Sequence, residues 1–282
     1  MDFDEVRSIV ASNARARGAS VLCRPAFWDN ALQLFLKASR ILVITGFYIK
    51  KAAAPETDGP PGAVVLGRAL ARTGKQVILL TDTRNYGALN ACSRSVSGPV
   101  VACIDNPENI HLDMNLLVFI ERPGHAADGR YYNMKGVDIG DVVAPLDAVA
   151  EPARTRGIPV LGIGDGGNEA GMGVFYEELA ALMPHYAPCL SKVSATVCLP
   201  VDISNWGAYA LAAVLSAFYR RWLGLDPGEE ALMLKALADA GAVDGIKGAP
   251  SMSVDGVELE EPGGLDETTL RLKDWYFGSF KV

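Results

Sequence analysis

Histidine and cysteine are scarce in this sequence, and neither is arranged to hold a metal. The 282 residues include three histidines, His111, His125 and His185, with no pair at helical ligand spacing. Five cysteines occur, Cys23, Cys92, Cys103, Cys189 and Cys198, an odd number with no C-x-x-C spacing. This argues against a disulfide framework and a thiolate zinc site. The thiols read as reduced and mostly buried. Basic charge is also short: 26 Lys and Arg stand against 33 Asp and Glu, a net charge of −7. Nonspecific nucleic-acid binding and docking on anionic lipid both need a basic face, so neither partner is expected. No apolar run approaches the roughly 20 residues that span a bilayer. The most apolar stretch, Ala208 to Tyr219, ends in Arg220 and Arg221 and reads as a buried core helix. The start, MDFDEVRSIV, lacks the basic and apolar segments of a signal peptide. A cytoplasmic protein without a membrane partner is expected.

What is present is enough apolar material for a large core. Half the residues are hydrophobic and 21% are charged, which excludes the disordered class. Apolar runs at 41–45, 77–81, 99–103, 116–120 and 158–163, and one ending near Val201, read as strands buried on both faces. Helical patterns at 62–73, 86–96, 145–156 and from Glu169 to about Met183 lie between most of them. This alternation predicts a three-layer α/β/α fold with a mainly parallel central sheet. The end of the chain predicts a helical and hairpin elaboration. Helices are expected at 207–223 and 228–240, a hairpin at 252–259 turning at Asp255-Gly256, and a last helix from a capping Asp266 to about Tyr276. With no linker, repeat or low-complexity tract, residues 1–282 read as a single domain.

Polar residues and glycines cluster after the strands, where open α/β sheets bind ligands. The first cluster is the stiff loop Pro55-Glu-Thr-Asp-Gly-Pro-Pro-Gly-Ala63, which would deliver Glu56 and Asp58 to one point, or in which Asp58 only caps a helix. The second runs from Glu121 through Arg122, His125, Asp128, Arg130, Tyr132 and Asn133. A carboxylate at the end of an apolar strand must be paired, hydrogen-bonded or metal-bound. Arg122 or Arg130 could be the partner of Glu121. The third, Gly162-Ile-Gly-Asp-Gly-Gly-Asn-Glu169, formally matches G-x-G-x-x-G. Asp165 would put negative charge inside a phosphate cradle, and no acid follows about 20 residues later to hold a ribose, so a dinucleotide is disfavoured. A backbone approaching a small ligand, with Asp165, Asn168 and Glu169 as contacts, reads better. A tight turn with Glu169 complementing a helix dipole is the plainer alternative. The fourth cluster, Asp202-Ile-Ser-Asn-Trp-Gly207, enters a small-residue helix that Ser204 or Asn205 could cap.

Taken in order, these strings resemble the C-terminal domain of the D-glutamate cyclase family. The resemblance rests on 55–63, Ile120-Glu-Arg122, Ala126-Ala-Asp-Gly-Arg-Tyr-Tyr-Asn133, 162–169 with Gly171-Met-Gly173, and Ser204-Asn-Trp-Gly-Ala-Tyr-Ala-Leu211. It covers about 46–211. It implies conversion of D-glutamate to 5-oxo-D-proline with loss of water. The resemblance implies that animal members carry a further N-terminal domain, which is not expected here, an arginine where His125 stands, and a glycine where Ala208 stands.

Chemistry then suggests the roles. Ring closure requires the amine to lose protons, the γ-carboxylate to become electrophilic and an oxygen to leave as water. Glu56, Asp58, Glu121 and Asp165 are the candidate catalytic groups. Arg122, Arg130, Tyr132, Asn133, Asn168 and Asn205 are the candidate substrate contacts. Six carboxylates in one cleft repel, so a divalent cation is expected at Glu121, Asp128, Asp165 and Glu169. An all-oxygen ligand set favours Mg²⁺ or Mn²⁺, with Ca²⁺ as a third candidate. The expected partner is a small acidic amino acid, and a homo-oligomer is compatible with the sequence. A lyase or hydratase acting on a related amino or hydroxy acid, and a non-catalytic metabolite- or metal-binding protein, are the alternatives.

Overall fold

A computed structural model describes residues 1–13, 18–261 and 263–280. Six strands form the central sheet: β1 Arg40–Thr45, β2 Gln76–Thr81, β3 Val101–Cys103, β4 Leu116–Ile120, β5 Val160–Gly164 and β6 Val197–Pro200. Their spatial order is β3-β2-β1-β4-β5-β6, and every pair is parallel. The chain builds outward from β1 in one direction and then from β4 in the other. The reversal between them, where Thr45 pairs with Ile120, opens a crevice at the carboxyl ends of the strands.

Alternation along the strands separates two cores. Ile41, Val43, Leu116, Val118 and Ile120 pack on one face, and Leu42, Ile44, Leu117 and Phe119 on the other. The first face is covered by α2 Pro25–Lys37, α3 Pro60–Ala71, α4 Thr83–Ser95 and α7 Ser204–Tyr219. Its core extends to α1 Phe3–Val10, α8 Glu229–Asp239 and α9 Leu265–Gly278. The second face carries α5 Ala150–Thr155, α6 Tyr176–Leu182 and much irregular backbone. The fold is thus three-layer α/β/α. None of the described helices is long and apolar enough to cross a membrane.

Several expected elements shift for identifiable reasons. β3 is a half-exposed edge strand rather than a buried one, and Val100 before it is 76% exposed. The helix expected from Glu169 begins only at Tyr176, after a 3₁₀ turn at Gly173–Phe175. Residues 169–172 instead bridge to Pro123 and Ser194, and Gly171 (φ +104°) packs so closely on Gly162 that a Cβ would lie 2.7 Å from its Cα. Tertiary pairing has overridden local helical preference there. The hairpin turns at Asp255-Gly256 as expected, with φ of +54° and +77°, the signature of a type I′ turn. The cap of α9 is Gly264 rather than Asp266, and Glu267 in the first turn accepts from Gly263 N at 2.7 Å.

Candidate active site

Glu121 is the first residue beyond β4 and lies beside the strand-order reversal. Its φ of +44° is a left-handed conformation that a non-glycine residue rarely adopts. The residue is fastened by its N–H, which donates to Ile163 O at 3.1 Å. Its Oε2 accepts from Ser204 Oγ at 2.6 Å. Gly59 presses against it: a Cβ at Gly59 would lie 2.8 Å from Glu121 Cβ and 2.7 Å from Thr45 Oγ1. With φ +95°, position 59 is suited to glycine on both grounds. Strain of this kind persists where surrounding structure enforces it, and it concentrates at functional sites.

Asp58 and Asp165 complete the centre. Asp58 is delivered by the proline-rich loop before α3, and Asp165 follows β5 directly. Both are buried, and one carboxylate oxygen from each of Asp58, Glu121 and Asp165 lies within 4.8 Å of the others. Burial, followed by the charges of Asp165, Glu169, Asp58 and Glu56, pushes the Glu121 carboxyl well above the usual range. Four clusters distant in sequence therefore meet at one end of the sheet.

The remaining acids are placed differently. Glu169 turns back on its own loop and accepts the N–H groups of Gly166 (2.8 Å) and Gly167 (2.7 Å). These are the donors a phosphate cradle would need, so the glycine motif is already occupied by a carboxylate. Glu56 is 7% exposed and lies against Gly245, where a Cβ would be 1.7 Å from Glu56 Oε1. Asp128, expected among the metal ligands, is exposed on a surface turn and bonds to Tyr132 Oη (2.7 Å) and Arg130 N (3.0 Å). It is not among the carboxylates grouped within ligand distance in the described residues.

The side chains expected to contact substrate have the following partners in the fold. Arg122 is buried, and its guanidinium donates to Asp82 (2.6 Å), to Gly46 O (3.0 Å) and to Ala144 O. It partners Asp82 rather than Glu121, and a substrate carboxylate would have to displace that buried ion pair. Arg130 is exposed and sits 3.9 Å from Asp128 and 3.8 Å from Asp138, also away from Glu121. Asn133 closes its own turn by accepting from Lys135 N and Val137 N. Asn205 clamps the proline-rich loop, accepting from Gly59 N (2.9 Å) and Gly62 N (2.8 Å) and donating to Thr57 O (3.2 Å). Asn168 donates to the carbonyl of Tyr132 at 2.9 Å, and its buried Oδ1 has no hydrogen-bond partner among the described residues. Thr45 Oγ1 is likewise buried without a hydrogen-bond partner, beside Gly59.

Residues from the end of the chain were not legible as part of this region. Thr57 donates to Ser253 O (3.0 Å) and its N–H to Val243 O (3.0 Å), which docks the acidic loop on the hairpin segment. Asp244 organises that segment by accepting from Ile246 N, Lys247 N, Ser253 Oγ and Gly256 N. Asp-Gly turn chemistry was the available signal, but nothing in the pattern linked it to Glu56.

Comparison with known proteins places the chain in a family. The family described as D-glutamate cyclase-like, C-terminal, matches residues 6–265. The human protein named D-glutamate cyclase, mitochondrial, is 30% identical over 300 residues, covering 90% of this chain and 48% of that protein. The chain thus spans about half the length of that curated relative. A solved exopolyphosphatase-related protein from Bacteroides fragilis aligns over 92% of this chain and 61% of its own at 9% identity and a TM-score of 0.41. That likeness is too low to carry an argument. The family match extends over both the strands and the loops that build the acidic centre, and the chain belongs to the D-glutamate cyclase-like C-terminal family.

Proposed function

We propose that the protein is a lyase that closes D-glutamate to 5-oxo-D-proline and water, assisted by a divalent cation. The observation that carries this reading is the convergence of Asp58, Glu121 and Asp165, buried and within 4.8 Å of one another, in a chain of this family. Oxygens on opposite sides of Ca²⁺ lie roughly 5 Å apart, and those around Mg²⁺ or Mn²⁺ somewhat closer, so the three carboxylates fit a hard ion with small adjustment. When bound, such an ion would hold the γ-carboxylate and make its carbon electrophilic. Glu169 and Glu56 add negative charge at longer range.

In the reaction the ammonium nitrogen bonds to the carbon of the γ-carboxylate, and one C–O bond of that carboxylate breaks. Two of the three ammonium protons leave with that oxygen as water, and the third stays on the amide. The protein must therefore accept protons at nitrogen and return them at oxygen. Clustered carboxylates with displaced proton affinities suit this exchange. Glu121, held by Ser204, is a group in which burial favours keeping a proton. Asp58 or Asp165 would accept one from the amine. Burial excludes water, which favours ring closure over hydrolysis. A reducing cytoplasmic compartment suits the chain's free thiols.

The test is to incubate the protein with D-glutamate and follow loss of the amine, with and without EDTA. L-glutamate and related hydroxy and amino acids serve as the comparison panel. Turnover of D-glutamate that EDTA suppresses supports the reading. Turnover of another panel member alone would replace it with a different lyase or hydratase activity.

A further inference from the structure

The segment leaving Glu121 carries a second constellation. Residues 122–124 run beside 168–170: Pro123 bridges Glu169, Gly124 N donates to Asn168 O (2.9 Å) and Ala170 N to Arg122 O (2.7 Å). His125 comes next. Its Nδ1 lies 2.8 Å from Asp147 Oδ2, which also accepts the His125 N–H at 3.0 Å. Tyr131 Oη donates to the other oxygen of Asp147 at 2.6 Å. The Asp147 side chain is wholly buried, while 42% of the His125 side chain is exposed.

These distances set the state of the imidazole. A buried carboxylate favours a cation beside it. Tyr131 supplies a neutral hydrogen bond, and the ammonium of Lys192 lies over the Tyr176 ring, 3.0 Å from its centroid. The hydrogen bond that Nδ1 makes to Asp147 raises the proton affinity of His125 and so favours the imidazolium as the counter-ion of that carboxylate. With Nδ1 engaged by Asp147, Nε2 is left as the outward N–H, and it has no hydrogen-bond partner among the described residues. Arg122 is enclosed by Asp82, Gly46 and Ala144, and Arg130 pairs on the surface, so neither matches this combination.

We infer that His125, positioned by Asp147, binds the substrate carboxylate that is not attacked and so selects a dicarboxylic amino acid. This rests on the proposed cyclase reading. His125 lies four residues beyond Glu121, a backbone span of at most roughly 14 Å. A dicarboxylate between them would cover that gap with its own length and the reach of two side chains. The acidic centre handles the γ-carboxylate, and the exposed imidazolium supplies the positive charge that centre lacks.

The experiment compares wild type with His125→Gln on D-glutamate and on its α-amide, D-isoglutamine. Loss of one charge-assisted hydrogen bond predicts about a tenfold or larger rise in KM for D-glutamate, with kcat little changed. D-isoglutamine should show the same KM with both proteins. Equal effects on both substrates would overturn the assignment. A second readout does not need turnover. With three histidines in the chain, the His125 ring signal is assignable by NMR from its loss in the variant. Its titration midpoint should rise when D-glutamate or glutarate is added. A midpoint unmoved by either would overturn the inference. Binding seen by NMR without turnover would remove the cyclase reading and keep the carboxylate site.

Discussion

Asp58 caps the helix that Ser204 opens, although the two residues lie 146 positions apart. Its Oδ2 accepts from Ser204 N at 3.0 Å, and its Oδ1 from Asn205 N at 2.8 Å and from Gly59 N at 2.9 Å. Asp58 thus closes a helix start and also lies in the acidic centre with Glu121 and Asp165. The capped terminus of α7 also places Ser204 against Glu121, so one carboxylate orders the group that another uses.

Asp58→Asn should therefore be doubly harmful. An amide has one acceptor oxygen and would point an NH₂ group at a backbone N–H. We expect turnover to vanish and stability to fall by about 1–3 kcal/mol. Asp165→Asn should also abolish turnover but melt no lower than wild type, since it removes charge from a crowded centre. Equal melting temperatures for wild type and Asp58→Asn would refute the capping role.

Cation binding should be visible without catalysis. An ion that binds only the folded chain raises Tm with concentration. Titrating EDTA-treated protein with Mg²⁺, Mn²⁺ and Ca²⁺ should give such a rise, and Asp165→Asn should reduce it strongly. No shift with any of the three at millimolar concentration would leave protonation as the way the carboxylates coexist.

Arg122→Met should damage folding more than substrate binding. It strands the buried Asp82, and breaking a buried ion pair costs about 3–5 kcal/mol. The double variant Arg122→Met/Asp82→Asn should lose less than the sum of the singles. A large rise in KM at unchanged stability would restore a direct substrate contact to Arg122.

Glu230 predicts a pH dependence away from the site. Burial pushes its carboxyl up to about 7, against hydrogen bonds from Tyr209 Oη and Thr269 Oγ1 that lower it. Because the folded value is raised, the folded state holds this proton more tightly than the unfolded chain. The group's contribution is fully present below the unfolded value near 4.5 and is lost as pH rises towards 7. The loss is ~3 kcal/mol at 1.36 kcal/mol per pH unit. Glu230→Gln should flatten that part of the stability profile in denaturant melts from pH 4 to 8. A profile unchanged by the substitution would count against it.

Gly59→Ala tests the close approach at Glu121. A methyl group there meets Thr45 Oγ1 and Glu121 Cβ inside 3 Å, in a backbone conformation that L-residues avoid. We expect a loss of at least about 1–3 kcal/mol and of activity together. Wild-type melting and turnover would show that the loop yields there.

The sequence alone determined the sheet and the identity of the acidic loops. Leu116–Ile120 is apolar at every position, so only a strand buried on both faces accommodates it, and Glu121 had to stand at its end. Asp255-Gly256 carried its turn type in two residues. What periodicity and motif adjacency do not encode is which side chains meet. Asp128 is near Glu121 in sequence but bonds to Tyr132 on the surface, whereas Asp58 reaches Ser204 across most of the chain. Arg122 was available to any acid, and packing assigned it Asp82. Glu169 stood in a helical pattern, yet two loop N–H groups took its carboxylate. His125 was one histidine in a polar run until the fold buried Asp147 beside it. Local steric and solvation preferences act over a few residues and can be read along the chain. The partner of a buried charge is settled by whichever groups the sheet and helices bring within about 3 Å, and only the closed tertiary structure decides that.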